Sequence, residues 1–314
     1  MPNIITHKIF AEEVLKQLEK QDIRSIIEKH PQSYYIGSNG PDFLFFSHSK
    51  PWEAYKSHVL NHLGSRMHAT HINAFYETAL RCVKAQENIQ IKETMMAYLF
   101  GHLCHWALDK TTHPYIFYRT GNCKGKSAGY HHRFESMMDT MMLEKYKGIN
   151  IKEFPCYEIC EYDEDILKAI ARIYVPSAKE VYHVDVKVHD IREALNSWYD
   201  IQKLLYDPNN LKYPIVKGVE TLFRQPWKIS GNIVKTKIDE RYDILNAVSY
   251  THLDVYKRQV YVRLSNEGAA ILADIKKRMD AKLDFLKQED EESIKQMIQS
   301  LKRLDDLLQE VTYE

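Results

Sequence analysis

The segment "GHLCHWALDKTTHPY", Gly101 to Tyr115, sets His105, Asp109 and His113 at a repeat of four residues. Four residues is close to one helical turn, so His105 and Asp109 share a helix face. Pro114 biases His113 away from helical backbone, which predicts an imidazole just past the helix end that folds back toward the other two. Two imidazoles and a carboxylate converging in this way are a metal-ligand pattern. Taken singly, each of the three also reads as a hydrogen-bonded core residue, so the weight must come from the rest of the chain.

The surrounding sequence reads as helical. Ile4 to Glu19 is amphipathic, with Ile5, Ile9, Val14, Leu15 and Leu18 near one face. Further helices are expected at Met67–Gln86, Lys92–Leu108, Tyr130–Lys145, Asp165–Tyr174, Asp190–Leu205 and Leu211–Phe223. "IGSNGPDFLFF" (Ile36–Phe46) reads as a loop of turn residues followed by an apolar run, and "KGKSAG" (Lys124–Gly129) as a flexible loop. Strand patterns are scarce before residue 247, and 11 glycines in 314 residues argue against a glycine-rich β or dinucleotide-binding architecture. The expected fold class is all-α.

Composition narrows the partners. With 43 basic against 43 acidic residues, bulk charge gives no support for nucleic-acid or anionic-membrane binding. The start, "MPNIITHKIFAEEVL", has neither the apolar core nor the cleavage site of a signal peptide, and no transmembrane segment is evident. The five cysteines are odd in number and irregularly spaced, which suits a reducing cytoplasm. Cys156 and Cys160 lack a second pair and read as free thiols.

The chain changes character after residue 247. "VSYTHLDVYKRQ" (248–259) can be encoded by a string that nearly equals its own reverse complement, and it resembles the translated junction of a transposase adapter used in sequencing libraries. No function is expected of it, and the chain reads as chimeric. "VYVRLSNEGAAILADIKKRMDAKLDFL" then reads as a strand, a Ser265 cap and a helix. A second helix carries Ile294, Met297, Ile298, Leu301, Leu304 and Leu308. Residues 260–311 resemble the C-terminal end of winged-helix repressors of the multiple-antibiotic-resistance type, from wing strand to dimerisation helices. The DNA-reading helix of such proteins is absent, so the expectation is a short strand and helical hairpin that offer helices for self-association.

Further candidate ligands lie in the first part of the chain. "YHHRFES" supplies His131 and Glu135 on one helical face, "RMHATH" supplies His68 at a helix start with His71 as its competitor, "GPDFLFF" supplies Asp42, and "ITHKIF" supplies His7. With these in place, residues 1–246 resemble the zinc-dependent phospholipase C family, most specifically in "GPDFLFF", "AYLFGHLCHWALDKTTHPY" and "YHHRFESMMDTMMLEK". The resemblance implies an all-α domain with three zinc ions. Asp42, His68, His105 and Asp109 would surround one, Asp109 would bridge to a second held by His7, and His113, His131 and Glu135 would hold the third.

That ligand set gives about nine contacts where three four-coordinate ions need about twelve, so positions remain for water, substrate or the chain terminus. In secreted relatives the mature N-terminal residue is a ligand; here removal of Met1 would leave the Pro2 amine to stand in. The resemblance further implies phosphodiester hydrolysis by metal-activated water, with Asp42 as both ligand and base. The substrate would be a phospholipid or small phosphodiester. Two rivals remain open: a single-strand nuclease on the same fold, which would need aromatic platforms and a basic groove, and a zinc-binding scaffold without catalysis.

Other features receive structural readings. Phe43, Phe45 and Phe46 are expected in the core rather than at a lipid-facing mouth. His189-Asp190 reads as a helix start rather than a metal dyad. His48, His58, His62, His102 and His132 read as surface groups or as residues that orient ligands.

Overall fold

The computed structural model describes residues 4–49, 53, 58–224 and 227–238. Pro2, the adapter-like junction and the expected strand and hairpin of residues 260–314 lie outside the described residues. Among those described, regular structure is helical and no strand occurs.

The helices are α1 (Ile4–Gln17), α2 (Gln21–Lys29), α3 (Pro31–Gly37), α4 (Val59–Ala69), α5 (Ile72–Ala85), α6 (Ile89–Thr120), α7 (Lys126–Lys147), α8 (Glu164–Tyr182), α9 (Val188–Leu205) and α10 (Lys212–Leu222). A 3-10 turn, Asp42–Phe46, follows α3. The organising element is α6, which packs against α1, α2, α3, α7 and α8. It starts at Asn88, whose side chain accepts from Ile91 N, and stops at Gly121, where φ reaches 93°.

The helix α6 continues through Pro114, so His113 lies within it and not beyond its end. Proline removes a single N–H and crowds a single carbonyl. Pro114 does this on an exposed face, while Ile116 and Thr120 beyond it are buried and keep the helix on the core. The hydroxyls of Thr111 and Thr112 donate to Ala107 O and Leu108 O at 2.7 and 2.8 Å, inside the turn that the proline disturbs. Likewise α8 runs through Pro176 to Tyr182.

The expected helix Met67–Gln86 is two helices. The chain breaks at Thr70, which is extended, and His71, whose φ of 58° is left-handed. His68 therefore ends α4 instead of starting a helix. Two boundaries also move: α1 ends at Gln17, and Lys126–Gly129 of the expected loop forms the first turn of α7. Asp190 sits in the first turn of α9 and its carboxylate accepts from Lys187 N at 2.8 Å, the helix-start role.

Two close approaches fix the ground beneath Asp42. Where α3 meets α6, a Cβ on Gly37 would stand 2.1 Å from Tyr98 O, and one on Gly101 would stand 2.1 Å from Tyr34 O. The backbones touch there, and no side chain fits between them. Tyr98 Oη then donates to Gly40 O at 3.1 Å and meets Tyr174 Oη at 2.8 Å, which ties the turn before Asp42 to α6 and α8. Phe43 packs into the main core against Tyr174 with Phe75 nearby, whereas Phe45 and Phe46 are half-buried.

Candidate metal centre

Along one face of α6 stand His105, Asp109 and His113, two of them buried and His113 partly so. From α1, His7 approaches with its ring centroid 4.7 Å from that of His105. Its position follows from the anchoring of α1. Asp139, buried on α7, accepts from Ile5 N, Thr6 N and Thr6 Oγ1, one residue before His7. The chain after α3 brings Asp42, the last turn of α4 brings His68, and α7 brings His131 and Glu135.

The oxygens of Asp109 divide these groups. Its Oδ1 lies 3.4 Å from His7 Nε2 and 3.7 Å from His113 Nε2. Its Oδ2 lies 3.5 Å from His105 Nε2 and 4.0 Å from His68 Nε2. His68 Nε2 is 2.9 Å from Asp42 Oδ1 and 3.2 Å from His105 Nε2. At the other end of the row, Glu135 Oε1 stands 2.8 Å from His131 Nε2 and 3.9 Å from His113 Nε2. His71, the competitor of His68, points toward Tyr182 with ring centroids 6.1 Å apart.

Three groups of donor atoms each close to within 4.8 Å: His7, Asp42 and His105; His68, His105 and Asp109; and His113, His131 and Glu135. All eight residues singled out in the sequence thus meet in one row. The donor set suits a cation. Both ring nitrogens of His7, both oxygens of Asp109 and Nε2 of His113 are buried without a hydrogen bond. Polar atoms left in this state cost stability unless something else satisfies them, and a metal ion does so for imidazole and carboxylate together. The facing Nε2 atoms of His68 and His105 point the same way, because His68 Nδ1 donates to Gly64 O at 2.7 Å and leaves Nε2 turned to the cluster. On the far side, His131 Nδ1 meets Thr120 Oγ1 at 3.3 Å.

Electrostatics in the row reflect crowding. Burial pushes the His105 pKa well below its ordinary value, with its imidazole neighbours reinforcing the effect. For His68 burial works against protonation, but the Asp42 carboxylate outweighs it and the pKa rises. Burial would raise the pKa of Asp109, yet His105 and His7 beside it hold the carboxyl well below its usual range. A neutral His105 beside an ionised Asp109 is the combination that binds a divalent cation, and a cation would displace the proton that Asp42 favours on His68.

One supporting residue, Asp139, was not singled out in the sequence. Asp139 falls four residues after Glu135 on the same face of α7, and that spacing was the available signal. His102, read as a surface group or as a residue that orients ligands, is buried beside Phe75 and Tyr76, with Nδ1 2.7 Å from Tyr76 Oη. A further trio, His48, Glu53 and Glu193, also closes to within 4.8 Å. There, however, Glu193 is already met by His48 at 3.4 Å and by the hydroxyls of Ser47 and Ser197. Among the described residues the cysteines are unpaired, and Cys156 and Cys160 are buried thiols.

Neither a curated protein nor a solved structure matches the chain. The family model for zinc dependent phospholipase C matches residues 6–202, more than half of the chain and the whole of the row just described. An all-helical frame with imidazole and carboxylate donors converging on α6, together with that match, places the chain in the zinc-dependent phospholipase C family.

Proposed function

We propose that this protein is a zinc-dependent phosphodiester hydrolase of the phospholipase C type, acting on a phospholipid or a related phosphodiester. Asp42, His68, His105 and Asp109 would hold one zinc ion, Asp109 and His7 a second, and His113, His131 and Glu135 a third. The observation that carries this reading is Asp109, buried between two sets of imidazoles with neither oxygen hydrogen-bonded. A bridging carboxylate needs that disposition. Bound zinc supplies Lewis acidity, neutralising phosphoryl charge and bringing the pKa of water toward neutrality.

The chain's own residues do the rest. Asp42, held by the turn against α6 and by His68, takes a proton from the water that attacks phosphorus, while the P–O bond to the alcohol breaks and the departing alkoxide takes a proton from solvent. Gly64 O and Thr120 Oγ1 orient the imidazoles of His68 and His131. The phosphodiester enters on the side of His68 and His113, whose side chains are 21% and 22% exposed while those of His7 and His131 are buried.

The test is turnover of a chromogenic choline phosphodiester with metal analysis of the same sample. Hydrolysis should vanish with chelator and return with zinc. Asp42→Asn should lower kcat by about 100-fold or more. An Asp42→Asn variant that keeps full zinc and full turnover removes Asp42 as base. Zinc bound without turnover on choline phosphodiester, phosphatidylcholine vesicles or single-stranded DNA leaves a scaffold in place of an enzyme.

A further inference from the structure

The helix α10 presents an apolar stripe that nothing described covers. Leu211, Ile215, Val219, Leu222 and Phe223 recur at helical spacing and are between 52% and 79% exposed. The charge of the stretch that carries the stripe is one-sided. Every charged side chain that faces solvent between residues 208 and 229 is basic: Lys212, Lys217, Arg224 and Lys228. The single acid of that stretch, Glu220, is buried, and its carboxylate accepts from Trp227 N and Ser230 N at 3.0 and 2.9 Å. The chain as a whole is neutral, so this is a local asymmetry that bulk charge conceals.

The stretch is also fixed to α7, which carries His131 and Glu135. Glu220 holds the turn after α10, and Ser136 Oγ on α7 donates to Gly231 O of that turn at 2.6 Å. Trp227 packs on Tyr130 at 4.6 Å, with the guanidinium of Arg133 4.6 Å from its ring. Tyr130 directly precedes His131. Across the same cluster, Phe117 stacks on the His131 ring at 5.3 Å and is itself 38% exposed, with Tyr115 and Tyr118 exposed beside it.

We propose that the exposed face of α10 docks this protein onto an anionic phospholipid surface. Apolar side chains on one side of a short helix, with lysine and arginine and no exposed acid in the same stretch, have the composition of a helix that lies in the headgroup region. The docking rests on the lipid-hydrolase reading for its purpose, but it is measured separately.

The experiment is sedimentation of the full chain with vesicles of phosphatidylcholine alone and of phosphatidylcholine with 30% phosphatidylserine (~30%, a physiological-range fraction), run beside turnover of a soluble choline phosphodiester. Wild type should partition at least about tenfold more strongly onto the anionic vesicles. Ile215→Ser with Leu222→Ser should lower that partition by about tenfold or more while soluble turnover changes by less than about twofold. Lys217→Glu with Arg224→Glu, which leaves the apolar stripe intact, should remove the preference for phosphatidylserine. Equal partition of wild type and both variants overturns the proposal. So does a serine pair that converts a dimer to a monomer by light scattering, since the stripe then meets a second copy. Solvent protection of the stripe without vesicles, released by removing residues 239–314, overturns it as well. Loss of soluble turnover with vesicle binding intact counts against the hydrolase reading and not against docking.

Discussion

At the scale of single residues, groups outside the row of candidate ligands set the terms for those within it. His102 is buried in an aromatic box, and burial chiefly, with His68 adding to it, holds its pKa down to about 3. The folded state therefore refuses a proton that the unfolded chain accepts near its ordinary value of 6.5. Its contribution to stability is complete above about pH 6.5 and is lost as pH falls toward 3, at up to about 1.4 kcal/mol per pH unit. Urea unfolding of metal-free protein between about pH 4 and 7 should show His102→Gln losing one proton's share of the acid slope; an unchanged slope would place that imidazole in water. Asp139 acts by anchoring. Asp139→Ala strips two backbone amides and a hydroxyl of their acceptor at the start of α1, which should cost about 1–3 kcal/mol. His7 follows one residue later, so zinc content should fall below that of wild type even in the fraction that remains folded. Retention of full zinc would confine Asp139 to stability alone.

At the scale of elements, periodicity was legible and punctuation was not. The i, i+4 pairs His105/Asp109 and His131/Glu135 sit on their helices as the spacing requires, because burial of one face and the helical period act over the same few residues. Pro114 was misleading, since the bias of a pre-proline residue is local and yields to the buried face beyond it. The break at Thr70–His71 carries neither glycine nor proline, and it is met from α8 by Tyr182, whose Oη donates to Thr70 O at 3.1 Å. Nor could sequence reveal which glycines mark contacts. Gly101 and Gly218 both lie inside helices, yet a Cβ on Gly101 would stand 2.1 Å from Tyr34 O and 2.7 Å from Ser38 N, while one on Gly218 meets nothing within 4 Å. Gly218→Ala should stabilise by about 0.5–1 kcal/mol through helix propensity. Gly101→Ala gains the same propensity but drives α3 off α6, for a net loss of about 1–3 kcal/mol and displacement of the Asp42 turn. Thermal melts of the two variants should move in opposite directions. Parallel shifts would mean that α3 yields at no cost.

At the scale of the whole molecule, metal and fold divide the structure between them. The eight proposed ligands come from α1, the turn after α3, α4, α6 and α7, and among them both ring nitrogens of His7, both oxygens of Asp109 and Nε2 of His113 are buried without a hydrogen bond. The α5, α8 and α9 helices contribute no ligand and bury Phe75, Tyr174, Tyr182 and Trp198 in the main core, which α1, α4 and α6 share through Ile5, Leu63 and Tyr98. Ions that bind only the folded state raise its stability by about 1.4 kcal/mol per site for each tenfold in free zinc above saturation. Chelation removes that support and leaves carboxylates and imidazoles to face one another, and the deficit is borne where the ligands are. Hydrogen exchange on chelated protein should therefore show faster exchange at the start of α1, the last turn of α4 and residues 105–135, with α8 and α9 keeping protection close to that of the zinc-loaded form. Readdition of zinc should restore the first group without altering the second. Uniform loss of protection would mean that the metal row and the apolar core unfold as one cooperative unit, and unchanged protection everywhere would mean that the row is satisfied without an ion.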